Sequence, residues 1–157
     1  MLACVGASKL DELPGWATEL VESARVARLG LRDDGGHPRV LPVTFAVAEG
    51  RVWTAIDTKP KRDPDREPAR VRFLRRDPRA ALTVDCYSDD WEELAWVQVL
   101  GEVRIVDAEG AGAGLESLVE KYEPYRTTPP PGPLLALEPA RCLFWRASPA
   151  SGARPGT

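Results

Sequence analysis

The densest run of residues able to do chemistry lies between Lys59 and Arg79. Nine basic side chains (Lys59, Lys61, Arg62, Arg66, Arg70, Arg72, Arg75, Arg76 and Arg79) stand against Asp63, Asp65, Glu67 and Asp77, a local net charge of +5. The whole chain carries −3, so the remainder carries −8. Three readings compete for this segment. The interleaved carboxylates allow a solvated loop and helix face stitched by its own ion pairs. Alternatively, Lys59, Lys61 and Arg62 leave a strand end together, with Pro60 stiffening the backbone between them. Such a cluster suits the desolvation and orientation of a phosphate or other polyanion. Nucleic acid is the third reading, and the acidic remainder and the pI near 5.3 argue against it.

Other reactive side chains are sparse. Cys4, Cys86 and Cys142 are far apart, His37 is the single histidine, and there is no CxxC pair. No metal site is expected, since zinc needs about four clustered ligands. The thiols read as buried or idle. A Ser-His-Asp or Cys-His nucleophile would have to use His37, which falls in the turn Asp33-Asp34-Gly35-Gly36-His37-Pro38. There is no GxGxxG after a strand and no GxxxxGK[ST]. No acid–base dyad is visible, and the signatures of the common nucleotide cradles are missing.

Aromatic residues are the second cluster. Trp91 and Trp96 follow Tyr87 across a Ser88-Asp89-Asp90 turn, and Trp53 lies in a hairpin. They read either as core and interface packing or as a wall against a planar ring system.

The elements that position these residues are mostly strands. Apolar spacing predicts helices over 11–28, 69–76 and 114–122. Strands are predicted over 26–32, 39–47, 51–57, 79–87 and 94–107, with 134–137 and 141–147 forming a last pair or one interrupted strand. Pro42 cannot donate to a ladder, so an edge, bulge or open site is expected there. Gly101 marks a candidate bulge. Residues 58–68 hold three prolines and read as a loop. About six strands with inserted helices, meeting at short turns, give an α+β class rather than a doubly wound sheet. Residues 1–147 are expected to form one domain, and 148–157 a disordered tail. No run approaches the roughly 20 apolar residues of a membrane span. With no basic n-region before an apolar stretch, the expected location is the cytoplasm.

Three stretches carry a family resemblance: "HPRVLPVTF", "AIDTKPKR" and "VDCYSDDWEELAWV". From Ala24 to Pro139 the chain resembles the pyridoxamine 5′-phosphate oxidase-like proteins. More narrowly, it is similar to the branch of F420-dependent enzymes found in actinobacteria. The resemblance implies a split β-barrel of the FMN-binding type, a homodimer with two clefts between subunits, and hydride transfer between a cofactor and a small organic acceptor. The implied cofactor is the deazaflavin F420, with FMN as the alternative, and a non-catalytic F420 carrier is a further alternative. No nucleic-acid or membrane partner is implied. By the same resemblance, Lys59, Lys61 and Arg62 match the phosphate-binding segment. Pro42, Val43 and Thr44 match the strand passing near the ring, and Thr54, Ala55 and Ile56 the neighbouring strand. Trp91 and Trp96 match the aromatic segment at the subunit interface and ring wall, with Trp96 also at the cofactor. No side chain is implied as catalytic, because the chemistry belongs to the cofactor. Asp63 to Pro68, "DPDREP", departs from the family in being more acidic and proline-rich than its usual basic helix start.

Overall fold

A computed structural model describes residues 5–56 and 67–147. In chain order the elements are β1 (Val5–Ala7), α1 (Gly15–Ser23), β2 (Ala27–Arg32), β3 (Pro38–Val43), β4 (Ala46–Ala48) and β5 (Arg51–Ala55). There follow α2 (Ala69–Arg76), β6 (Arg79–Cys86), β7 (Ala95–Val106), α3 (Ala113–Lys121), α4 (Glu123–Thr127) and β8 (Leu134–Arg146). All strand pairs are antiparallel, in the order β3-β2-β6-β7-β8-β5-β4, and β1 pairs with the C-terminal half of β8.

The sheet curls because its two ends share one core. Leu29 of β2 and Val43 of β3 pack in the same cluster as Val52 of β5, Leu82 of β6, Val99 of β7 and Leu137 of β8. A flat sheet would hold β3 and β5 far apart, so the inward-facing alternate residues close it into a half-barrel. Trp16 of α1 packs on this core, with its ring edge-on to Phe144 at 6.0 Å. A second, smaller core forms outside the barrel. There Leu118 and Tyr122 cover Trp53, Ala55, Leu134 and Ala136. Gly114 is required at this contact, because a Cβ would run into the Trp53 indole.

The expected α+β class and split barrel are present, with eight strands among the described residues where about six are expected. Residues 39–47 divide into β3 and β4 because the backbone of Phe45 bonds to a side chain, the Tyr122 hydroxyl, rather than to a ladder. Residues 134–147 form one thirteen-residue strand instead of a pair. The bulge expected at Gly101 is there: Leu100 pairs with Arg141 and Gly101 with Pro139, leaving Ala140 as the extra residue on β8. A Cβ on Gly101 would strike the Glu138 carbonyl. The first helix is shorter than its apolar stripe, since Pro14 caps it and Ala24 leaves it in extended conformation. The tail at 148–157 lies outside the described residues. No helix among the described residues is long and apolar enough to cross a membrane.

Candidate functional site

Pro42, Val43 and Thr44 form the end of β3 and the corner that follows it. Alternation sends Val43 into the core and Pro42 to the outer face, where it is exposed. The Thr44 hydroxyl lies 2.7 Å from the Tyr125 hydroxyl. Ala46 pairs with Trp53, so the corner sits at the same end of the sheet as Thr54, Ala55 and Ile56. These three also alternate. Ile56 joins the barrel core and Ala55 the core beneath α3. Thr54 is 4% exposed, and its Oγ1 has no hydrogen-bond partner among the described residues. The structure therefore brings the two expected segments together. Of their side chains, it leaves Pro42 open on the outer face and Thr54 with an unspent hydroxyl.

The outer face of β3, β2 and β6, with the adjoining parts of β7 and β8 away from the Leu134–Ala136 end that α3 covers, carries no helix among the described residues. Its registers place Val40 beside Gly30, Ala81 and Leu100, and Pro42 beside Arg28, Thr83, Gln98 and Leu143. Val40 is 67% exposed. The small side chains at 30 and 81 leave an apolar groove of about 530 Å³ between Val40 and Leu100. At one end, Trp96 pairs across strands with Trp145. Two polar pairs lie on the face: Gln98 donates to Thr83 at 3.1 Å, and Arg28 to Asp85 at 2.8 Å. The two expected ring-wall residues stand differently. Trp96 is half-buried on this face, whereas Trp91 is 73% exposed on the 3-10 turn before β7.

Lys59, Lys61 and Arg62 lie outside the described residues, as do Thr58 and Arg66. The rest of the basic run is largely neutralised. Arg72 meets Asp34 at 3.1 Å, Arg75 meets Glu67 at 2.8 Å and Arg79 meets Asp77 at 2.7 Å. Arg76 donates to the Asp34 carbonyl. For α2, then, the reading of a charged face with its own ion pairs describes what is seen.

The family model for pyridoxamine 5′-phosphate oxidase matches residues 14–146. The chain belongs to the pyridoxamine 5′-phosphate oxidase family. No curated protein matches its sequence. Among solved structures, the chain is similar to a conserved hypothetical protein from Mycobacterium tuberculosis, with TM-score 0.69 and 19% identity over 96% of this chain and 94% of that one. It is also similar to a Clostridium acetobutylicum protein related to general stress protein 26, of the pyridoxinephosphate oxidase family (TM-score 0.59, 20% identity, 83% and 86% covered). An FAD binding protein from Mycobacterium smegmatis gives TM-score 0.56 and 18% identity, with 86% and 96% covered. At these identities the likeness is one of fold.

In this member of the pyridoxamine 5′-phosphate oxidase family, the corner is held by residues that sequence reading did not single out as functional. The Tyr122 hydroxyl accepts the Phe45 N–H at 3.0 Å and lies within donating distance of the Phe45 and Arg25 carbonyls. Burial pushes its pKa up, so the phenol stays protonated. Lys121 lays its ammonium on the Phe45 ring, 3.9 Å from the centroid, and Arg25 lies over the Tyr122 ring at 4.6 Å. The available signal was the spacing Tyr122-x-x-Tyr125 just after a helix, which reads equally well as an apolar stripe. Elsewhere, His37 is exposed in the β2–β3 turn beside Asp33, and no cluster of metal ligands exists among the described residues.

Proposed function

We propose that the chain is a homodimeric reductase that holds coenzyme F420 between two copies and passes hydride from it to a small organic acceptor. The observation that supports this best is the outer sheet face. A contiguous apolar strip with Val40 two-thirds exposed is the kind of surface that soluble chains cover with a partner. The groove over Gly30 and Ala81 would leave space between two such faces. The apolar floor of that groove, made by Gly30, Val40, Ala81 and Leu100, fits a planar tricycle.

When bound, F420 would supply the hydride chemistry. The chain's part is to bind the anionic tail through Lys59, Lys61 and Arg62, to orient the ring along Pro42–Thr44 and to exclude water with the partner's face. The sequence resemblance to the F420 branch favours the deazaflavin. The likeness to an FAD binding protein from Mycobacterium smegmatis favours a flavin as the second reading, and FMN is the flavin that the sequence resemblance implies. Both cofactors carry a ribityl phosphate, so the lysines and Arg62 serve either.

Titration of the full-length protein with F420 and with FMN, followed by tryptophan quenching, decides between them. F420 is expected to bind more tightly. Lys59→Ala and Arg62→Ala are each expected to weaken it by about 1–3 kcal/mol, the range for hydrogen bonds to charged groups. Equal binding by both variants and the parent would overturn the tail assignment. Turnover of reduced F420 against unsaturated ketones and quinones separates a reductase from a carrier.

A further inference from the structure

We propose that Arg25 and Lys121 together bind an anionic oxygen group, carboxylate or phosphate, of a small molecule docking at the β3–β4 corner. The site stands on geometry alone. Its identification with the acceptor substrate rests on the reductase reading above.

The two cations share one aromatic ring. The Arg25 guanidinium is 4.6 Å from the Tyr122 centroid and the Lys121 ammonium 5.8 Å from it. Arg25 Nη1 donates to the Lys121 carbonyl at 2.8 Å, which ties the side chain to the end of α3. That is its single hydrogen bond among the described residues, leaving most of its five N–H donors unspent. Lys121 Nζ has no hydrogen-bond acceptor among the described residues and rests on the apolar ring of Phe45. Neither cation reaches a carboxylate among the described residues. Arg28, Arg51, Arg72, Arg75 and Arg79 each do.

Such a pair is electrostatically unfavourable when empty. Lys121 is pushed down to about 8, first by burial, then by repulsion from Arg25, against a weaker opposing pull from Glu22. An anion between the two would reverse the second effect and offset the first. The α3 C-terminus explains one nearby cation, through its unpaired carbonyls. It accounts for the one bond Arg25 makes to the Lys121 carbonyl, but not for the remaining N–H groups of Arg25 or for the Lys121 ammonium, which has no acceptor among the described residues. The location is also apt. Phe45, which Lys121 covers, follows Thr44 directly, so an anion held here would place the rest of its molecule against the strand assigned to the ring.

The test uses the protein without coenzyme. The Lys121 Cε resonance of ¹³C-lysine-labelled full-length chain is assigned by loss in Lys121→Met. Its titration is then followed with inorganic phosphate and with succinate, against potassium chloride at equal ionic strength. The expected result is a saturable upward shift of the Lys121 pKa by about one unit or more with phosphate or succinate, beyond the chloride control. The more effective ion identifies the preferred group. Arg25→Met is expected to weaken that binding at least about tenfold. Should that variant fail to fold, Arg25→Lys, which keeps the charge but loses the fork, is expected to weaken it less. Phosphate and succinate effects equal to those of chloride would overturn the proposal. Saturable anion binding by a chain that takes neither F420 nor FMN would leave the site standing and remove the reductase reading.

Discussion

The Tyr122 hydroxyl lies 3.0 Å from the amide nitrogen of Phe45 and 3.0 Å from the carbonyl oxygen of the same residue. One side chain from the end of α3 thus replaces a ladder partner for a backbone corner in the sheet. It also lies 2.9 Å from the Arg25 carbonyl, so its one proton serves one of two acceptors while its oxygen takes the Phe45 N–H. Phe45 is fully buried. Replacing Tyr122 by Phe would leave that N–H without a partner away from water. The expected loss is about 1–3 kcal/mol in urea unfolding, with faster exchange of the Phe45 amide. An unchanged midpoint and unchanged exchange would show that the clamp is dispensable.

This corner shows where sequence reading reached and where it stopped. Strand-forming runs, the α2 span and the bulge at Gly101 were legible because alternation, Pro68 and a lone glycine in a strand each have a local cause. The break at Thr44–Phe45 was not. Its cause is a tyrosine 77 residues away, and an apolar run interrupted by a tertiary hydrogen bond looks continuous in sequence. The Lys121 and Arg25 environment was hidden for the same reason. The Pro42–Thr44 and Thr54–Ile56 segments were legible as neighbours, but the inward direction of Thr54 and Ile56 follows only from the β5 register. For α2, composition left open whether the arginines face a ligand or their own carboxylates, and only placement beside Asp34 and Glu67 decides that.

Thr54→Val separates stability from binding. The substitution keeps the shape and removes a buried hydroxyl that has no partner among the described residues. Thermal unfolding is expected to be unchanged or raised, since an unsatisfied buried group costs about 1–3 kcal/mol. Coenzyme affinity is expected to be unchanged, because the hydroxyl points into the barrel and the groove lies on the outer face. Lower stability would assign the hydroxyl a structural partner instead.

Lys121 makes stability depend on alkaline pH in a defined direction. Its folded-state pKa is lowered to about 8 from an ordinary 10.5. Between those values the unfolded chain binds more protons at this site than the native one, so the lysine's contribution makes stability rise with pH through that window. Below about pH 8 both states are protonated and the native state bears the full penalty. Comparing urea midpoints from pH 7 to 10.5, Lys121→Met is expected to start higher and to lack this rise. Parallel curves for the two proteins would contradict it.

Val40→Asp tests the assembly. Val40 is exposed in the single chain, so a charge there leaves the barrel core untouched. In a dimer joined through this face, the carboxylate would be buried against apolar side chains. Sedimentation velocity is expected to show a dimer for the parent and a monomer for the variant, with equal thermal stability per chain at high dilution. A variant that stays dimeric would move the interface to another surface.

The groove between copies is tested most directly by native mass spectrometry of the purified protein after incubation with F420. The expected species is a homodimer carrying two F420 molecules, with occupancy lost in Val40→Asp along with the dimer. A monomer that acquires neither F420 nor FMN would contradict it.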